Sequence, residues 1–178
     1  MQNLAELLKD QLKDVYNAEK QLTKALPKLV KKAATNRLKE VFSQHLEETE
    51  EHVARLEQIG TRLGIRLSGK KCAAMEGLVE EGKEIIDEED AGPVTDAALI
   101  GAAQRVEHYE ISAYGTLRTI AERLGYQDVA KLLETTLQEE SAADEKLTQI
   151  SEQDVLPQAE AMGDGEEEEE SASGRKRR

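Results

Sequence analysis

The sequence has few of the residues that build β-rich, disulfide-bonded or membrane-spanning proteins. Its 178 residues include no Trp, one Phe, four Tyr, three Pro and one Cys. So few aromatic residues disfavour a β-sandwich, which packs aromatic and β-branched side chains. A single cysteine excludes an intrachain disulfide and a cysteine-based zinc site. Because no run of about 18 apolar residues occurs, no membrane span is expected, and we expect a cytoplasmic protein.

Negative charge dominates the chain, with 37 Asp and Glu against 24 Lys and Arg and a net charge of -13. A nucleic-acid surface is therefore not expected over the domain as a whole, whereas metal cations suit this charge. Within segment 157–178, the stretch GDGEEEEESASGRKRR has no apolar periodicity and carries an acidic run followed by Arg175-Lys176-Arg177-Arg178. We interpret it as a disordered tail whose basic end is the one part suited to nucleic acid.

Apolar residues recur at helical spacing in four long stretches, which predict helices over about residues 3–34, 36–63, 93–125 and 127–151. Pro27 lies inside the first stretch, where we expect a kink. Gly64 and Gly125 end the second and third stretches, and Pro157 lies beyond the fourth. Residues 1–156 are thus predicted to form one all-α domain.

The connections between these helices differ in length. A few residues around Thr35 join the first two helices and Gly125-Tyr126 joins the last two, so each pair is predicted to form an antiparallel hairpin. About thirty residues separate the hairpins. They include a short amphipathic helix around Cys72, whose thiol is expected to pack inward. Two hairpins joined by one long crossover give a ferritin-like four-helix bundle.

Carboxylates occupy helix positions where leucines belong. Seven residues lie within or beside the apolar stripes when the helices are plotted at about 100° per residue, namely Glu19, Glu48, His52, Glu107, Glu110, Glu140 and Asp144. Glu48 and His52 lie on one flank of the second stripe. Glu139 is expected to point outward, away from the cluster.

Hairpin geometry places these residues at one level. In an antiparallel hairpin, residues at the same height have numbers that sum to about twice that of the turn centre. With a turn near Thr35, Glu19 is level with position 51, and so with the Glu48/His52 pair. The same arithmetic about Gly125 pairs residues of the second hairpin, Glu110 with Glu140 and Glu107 with Asp144.

A weak internal repeat relates the two hairpins. Val15-Tyr16-Asn17-Ala18-Glu19 resembles Val106-Glu107-His108-Tyr109-Glu110, and Glu47-Glu48-Thr49 resembles Glu139-Glu140-Ser141. Such a match suits two related hairpins about a pseudo-twofold axis, with ligands supplied by both.

Six carboxylates at one depth repel each other unless positive charge lies among them. A buried, unpaired carboxylate costs several kcal/mol, and the nearby basic residues are expected to point outward or lie off the stripes, namely Lys20, Arg55, Arg105 and Lys146. Two divalent cations would cancel most of the negative charge. Carboxylate oxygens with a single imidazole suit Fe or Mn, with Mg as a further candidate.

Four stretches of the sequence carry a family resemblance, namely DVYNAEKQL, HLEETEEHVARL, EHYEISAYGTL and EESAADEKL. Through them the chain resembles, over about residues 3–155, the ferritin-like stress proteins of the YciE/YciF type. The resemblance implies a four-helix bundle, a homodimer and a dinuclear metal site of the ferritin and rubrerythrin kind. Such di-iron sites carry Glu-x-x-His on two helices. Here His52 follows Glu48 at i+4, and Asp144 takes the place of a second histidine.

Other polar and aromatic residues receive different assignments. His45 lies two turns, about 10 Å, from the depth of Glu19, so we expect a surface or boundary residue. His108 falls opposite its stripe and is expected to be exposed. Tyr16 and Tyr114 are candidates to donate hydrogen bonds to the carboxylates.

Three functions are consistent with the sequence. The first is an oxidoreductase-like protein whose dinuclear site acts on oxygen, peroxide or ferrous iron. The second is a non-catalytic bundle that metals stabilise and that acts in stress through protein contacts. The third is binding of nucleic acid or a membrane surface through the basic tail.

Overall fold

The structure, a computed structural model, describes residues 2–162. These residues form five α-helices and a π-helical turn, with no strand among them: α1 Leu4–Lys32, α2 Asn36–Leu63, α3 Ala73–Glu88, α4 Pro93–Arg123, α5 Gln127–Ile150 and the π turn Ser151–Val155. None of the helices in this part of the chain is both long enough and apolar enough to cross a bilayer. The predicted acidic run and basic terminus lie outside the described residues.

Local sequence explains where the helices begin and end. The Asn3 side chain accepts a hydrogen bond from the backbone N–H of Glu6 and so caps α1. Pro93 occupies the first turn of α4, where its missing N–H costs no hydrogen bond. Gly64 ends α2 with φ 64°, and Gly125 connects α4 to α5 with φ 79°. Both angles favour glycine, which has no Cβ to clash with the backbone.

The helices pack as two antiparallel hairpins, α1–α2 and α4–α5. Helix α2 also contacts α5, and α1 contacts α4, which closes the bundle, while α3 packs along α1 and α4. The Asp96 carboxylate at the start of α4 accepts hydrogen bonds from the backbone N–H groups of Ala34 (2.7 Å) and Thr35 (2.9 Å). Helix α4 therefore begins beside the α1–α2 connection and runs parallel to α2. The predicted ferritin-like connectivity is confirmed.

Besides Pro93 in the first turn of α4, the other two prolines also lie in helical segments. Helix α1 continues beyond Pro27 to Lys32. Residues 156–162, which include Pro157, are helical and follow the π turn directly, so helix extends past the domain boundary predicted at residue 156. Proline has no N–H to donate to the preceding turn, and the π turn just before Pro157 is where the α-helical hydrogen-bonding pattern changes.

The core consists of two apolar layers along the bundle axis. One layer contains Leu22, Phe42, Leu99 and Leu147, and Met75 of the crossover helix packs within it. The other layer contains Leu12, Leu56, Leu117 and Leu133. The polar residues of the predicted cluster fall between these layers in the sequence of every long helix, so apolar packing closes the site at both ends.

Candidate metal centre

Polar residues replace apolar ones midway along the buried faces of the helices. Buried residues recur at seven-residue spacing on three helices: Leu12, Glu19 and Leu26 on α1; Leu38, His45, His52 and Ile59 on α2; Leu133, Glu140 and Leu147 on α5. Seven residues are close to two helical turns, so each series faces one side of its helix. The leucines and isoleucines anchor the ends, and the helices thereby direct the polar middle residues at one another.

The polar side chains form two groups in which the potential ligand atoms all lie within 4.8 Å of one another. One group contains His45, Glu107, Glu110 and Glu140, and the other contains Glu19, His52 and Glu140. All six residues are buried. The four long helices thus contribute four carboxylates and two imidazoles, and Glu140 belongs to both groups.

The two histidines approach Glu140 from opposite directions along α2. His52 Nδ1 lies 3.0 Å from Glu140 Oε1 and 3.5 Å from Glu19 Oε1. His45 Nε2 lies 3.9 Å from Glu140 Oε2 and 3.2 Å from Glu107 Oε1. A carboxylate whose two oxygens face two separate donor groups has the arrangement of a bridge between two metal ions.

Most of the cluster's inward-facing atoms have no hydrogen-bond partner among the described residues. The atoms without a partner are Glu19 Oε2, both ring nitrogens of His45, His52 Nδ1, Glu107 Oε2, and both carboxyl oxygens of Glu110 and of Glu140. Buried polar atoms are rarely left without a partner, because each loses its bonds to water on folding. So many buried carboxylate oxygens and imidazole nitrogens without partners in one place indicate a site that could bind a metal ion.

The electrostatics of the cluster show how strongly these groups interact. Burial raises the pKa of Glu110 well above its usual range, and the Glu140 carboxylate adds to the shift. Burial also raises the pKa of Glu140 to about 8, with Glu19 adding to it and His52 opposing it. Burial lowers the pKa of His52, but Glu140 and Glu19 outweigh this and raise it to about 10. Without metal, protons supply the positive charge.

Groups around the cluster fix the orientation of its ligands. His52 Nε2 lies 3.0 Å from Glu139 Oε2, and Arg55 donates to the same oxygen at 2.6 Å. Because a carboxylate accepts hydrogen bonds, His52 carries a proton on Nε2, which leaves Nδ1, facing Glu19 and Glu140, as the nitrogen that would coordinate a metal ion in place of a second proton. Tyr114 is fully buried and donates to Glu19 Oε1.

Two of these contacts differ from the sequence-based expectations. Glu139 was expected to point outward with no contact to the site, but it is the hydrogen-bond partner of His52. Arg55 was expected off the apolar stripe, but its side chain is only 14% exposed and reaches Glu139. Both residues lie where α2 meets α5, and a plot of one helix at a time does not show contacts between helices.

The structure brings five of the seven predicted site residues together, namely Glu19, His52, Glu107, Glu110 and Glu140. Glu48 lies at the edge of the cluster with its side chain 32% exposed, and His45 Nδ1 is 3.6 Å from its Oε2. Asp144 lies outside both groups. It accepts a hydrogen bond from Gln104 at 3.0 Å and approaches exposed His108 at 3.4 Å on the α4–α5 surface.

The expectation that His45 is a surface or boundary residue is wrong. His45 is 6% exposed and belongs to the larger ligand group. The error arose from requiring one depth for all ligands, whereas two adjacent ligand groups occupy different heights along the axis. The missed signal was the seven-residue spacing of His45 and His52, which places both on one face of α2.

Three other assignments can be compared with the structure. His108 is 70% exposed at its side chain, as predicted. Tyr114 contacts a cluster carboxylate, whereas Tyr16 donates to exposed Glu57 at 2.8 Å and does not reach the cluster. Cys72 is buried as expected, and its Sγ lies 3.0 Å from the Tyr109 hydroxyl.

The donor set fits a pair of first-row transition-metal ions. Four carboxylates and two imidazoles match the composition of di-iron and di-manganese carboxylate sites in helix bundles. The second imidazole corrects the single-nitrogen set inferred from the sequence, and imidazole nitrogen is a ligand type that Mg, which prefers oxygen ligands and water, seldom uses. Two divalent cations would balance the charge of the four carboxylates.

Comparisons with known proteins agree on the fold. Residues 3–160 match the family described as a domain of unknown function, DUF892. Protein YciF of Escherichia coli K12 is 47% identical over 161 residues, which span 90% of this chain and 97% of YciF. The crystal structure of the E. coli stress protein YciF superimposes with a TM-score of 0.82 over 85% of this chain and 96% of that chain. The solved structure of YcfI from Rhodopseudomonas palustris is 45% identical, with a TM-score of 0.80 over 83% of this chain and 94% of that one.

Proposed function

The chain belongs to the DUF892 family, and on that premise we propose that it binds a pair of Fe or Mn ions and uses them to react with dioxygen, peroxide or ferrous iron during stress. The relative named a stress protein supports the physiological setting. The buried cluster of four carboxylates and two imidazoles supports the chemistry.

The observation that carries this proposal is the set of buried lone pairs without partners. A cluster built only for stability would pair its carboxylates with Lys or Arg, because unpaired buried charge destabilises the fold. Here both oxygens of Glu110 and of Glu140, and both ring nitrogens of His45, have no hydrogen bond among residues 2–162. Such lone pairs suit metal coordination.

Each ligand group would hold one ion. His45, Glu107 and Glu110 would hold one metal, Glu19 and His52 the other, and Glu140 would bridge them. Bound Fe or Mn supplies one-electron redox chemistry with oxygen species. The chain's own residues orient that centre: Tyr114 holds Glu19, Glu139 holds His52, and the two apolar layers exclude bulk water from above and below.

The test is metal analysis followed by a reaction assay. Protein purified without chelator is analysed for metal, then stripped, reloaded anaerobically with Fe²⁺ or Mn²⁺, and mixed with dioxygen or peroxide. We expect about two metal ions per chain, in line with the two ligand groups, and oxidant consumption that the stripped protein lacks. Absence of bound metal would contradict the proposal.

A second outcome separates catalysis from stabilisation. Metal that raises the melting temperature but leaves dioxygen and peroxide unconsumed would favour the non-catalytic bundle. The homodimer and the cytoplasmic location expected from the sequence stay predictions, and the mass of the particle in solution checks the first of them.

A further inference from the structure

A surface opening between α2 and α5 leads to the candidate metal centre. The opening, which we name the α2–α5 opening, has a volume of about 220 Å³ and contains Gln44, His45, Glu48, Glu139 and Lys146. Burial increases inward along it. The side chains of Glu48 and Glu139 are about one third exposed, at 32% and 31%, whereas His45 is 7% exposed.

His45 joins the opening to the buried cluster. Its Nδ1 is 3.6 Å from Glu48 Oε2 in the opening, and its Nε2 is 3.2 Å from Glu107 Oε1 in the larger ligand group. Neither ring nitrogen has a hydrogen-bond partner among residues 2–162. Because His45 lies between the partly exposed Glu48 and the buried Glu107, a cation held at Glu48 would meet this imidazole before it reaches the buried carboxylates.

We propose that the α2–α5 opening is the access route for hydrated divalent cations to the metal centre, and that Glu48 binds each ion in transit. Glu139 lies on the other wall, where Arg55 balances its charge, and His45 receives the ion before Glu107 and Glu140. This inference rests on the proposed function. It gives Glu48 the role of a transit ligand, whereas the sequence predicted a permanent one.

Two consecutive hydrogen bonds across the opening affect how fast a cation can enter by that route. Lys146 Nζ donates to Gln44 Oε1 at 2.5 Å, and Gln44 Nε2 donates to Glu48 Oε1 at 2.8 Å. These two hydrogen bonds connect α5 to α2, and the positive charge of Lys146 lies at the α5 end. Gln44 occupies one carboxylate oxygen of Glu48, and the Lys146 ammonium group repels an approaching cation. Removal of Lys146 should therefore speed loading.

The opposite side of the bundle is unsuited to a hydrated cation. There the crossover helix α3 packs on α1 and α4, and the small space between them, about 40 Å³, is lined mainly by apolar side chains such as Leu22, Leu78 and Val79. Its charged lining residues are Lys28 and Lys83, which carry the wrong sign. Charge and polarity thus favour access from the α2–α5 side.

The experiment measures the rate of Co²⁺ loading into stripped full-length protein by stopped-flow absorbance, together with the Co²⁺ bound at saturation. Glu48→Gln should slow loading about fivefold at low salt, because one attractive charge on the route is lost. Lys146→Gln should accelerate it about threefold for the opposite reason. Both variants should bind as much Co²⁺ as the wild type, and both rate effects should shrink at high salt.

Exposed residues of the same helices supply matched controls. Glu51→Gln on α2 and Lys131→Gln on α5 change the net charge equally, and they should load at the wild-type rate because neither residue lines the opening. Circular dichroism confirms that each variant is folded.

The loading rates and the Co²⁺ content at saturation together test the proposed access route. Wild-type loading rates in both Glu48→Gln and Lys146→Gln would place the route elsewhere. A lower Co²⁺ content in Glu48→Gln would make Glu48 a permanent ligand and overturn the transit role, while leaving the proposed function intact. Failure of the wild type to bind Co²⁺ would overturn the proposed function and the access route together.

Discussion

The two hairpins have the same architecture but contribute different chemistry to the cluster. The α1–α2 hairpin supplies one carboxylate and two imidazoles, Glu19, His45 and His52, whereas α4–α5 supplies three carboxylates, Glu107, Glu110 and Glu140. The internal repeat predicts that both hairpins supply ligands, with Glu48 matched to Glu140. The comparison teaches that backbone symmetry does not fix ligand symmetry, because small rotations of a helix change which residue faces inward.

The equivalent residues Glu48 and Glu140 show this difference. Glu140 shares the buried face of α5 with Leu133 and Leu147, and it is fully buried. On α2 the buried face belongs to His45 and His52, and Glu48 lies about 40–60° around the helix from them. Glu48 is consequently part of the opening, and its pKa is lowered mainly by His45.

The largest effect should come from removing the carboxylate that both ligand groups share. Glu140→Gln keeps the size of the side chain but removes its charge and one oxygen ligand. We expect the variant to hold at most one metal ion per chain, because neither group is complete without Glu140. Metal analysis after reloading measures this, with exposed Glu145→Gln on the same helix as control. Equal metal content in the two variants would contradict a bridging Glu140.

The charge balance of the stripped protein gives a pH dependence with a defined sign. The pKa of Glu140 rises from 4.5 to about 8 on folding, and that of His52 rises from 6.5 to about 10. The folded state therefore holds more protons than the unfolded state, and stability falls as the pH rises from about 4.5 to about 10. Metal replaces these protons, so its stabilising effect should grow with pH.

Thermal unfolding with and without Mn²⁺ checks this dependence. The gap between the melting temperatures of loaded and stripped protein should widen from pH 6 to pH 9. A gap that stays constant over this range would mean that metal does not displace protons from Glu140 and His52. An absent gap would mean that the cluster binds no Mn²⁺.

The next largest effect should come from replacing either histidine of the α1–α2 hairpin, which tests the contribution of each imidazole to metal affinity. His45→Ala and His52→Ala should each weaken Mn²⁺ or Co²⁺ binding about tenfold, because each removes the one imidazole of its ligand group. Competition with a chromophoric chelator measures the affinities, and His108→Ala on the exposed surface is the control. An unchanged affinity in His45→Ala would restore the sequence-based assignment of His45 as a residue outside the site.

Helical periodicity predicted the four long helices and five of the six clustered residues, and the lengths of the connections predicted how the helices are joined. Periodicity describes one helix at a time, and it was enough to predict that Glu19 and Glu140 face the interior. The positions of Asp144 and Glu139 depend instead on partners from neighbouring helices. Asp144 bonds to Gln104 of α4, and Glu139 to His52 and Arg55 of α2. Such contacts follow from side-chain packing between helices, which a one-helix pattern does not contain.

The smallest effect tests the contact that joins the hairpins beside the centre. Glu139→Gln still offers an oxygen to His52 but loses the negative charge that holds the imidazole and Arg55. We expect about threefold weaker metal binding, below the loss typical when such a partner is removed outright. Glu145→Gln again serves as control in the same competition assay. A wild-type affinity would mean that Tyr114 and the apolar layers suffice to orient the site.

The Asp96 carboxylate has a consequence for how the two hairpins are aligned. It accepts hydrogen bonds from the backbone N–H groups of Ala34 and Thr35, and these bonds help to set the axial register of the α4–α5 hairpin against the α1–α2 hairpin. A slip of one helical turn, about 5.4 Å, would move Glu140 away from its position between His45 and His52 and so separate the members of both ligand groups. The alignment of the two ligand groups midway along the bundle is therefore set partly by two hydrogen bonds at its end, more than ten residues away along α4.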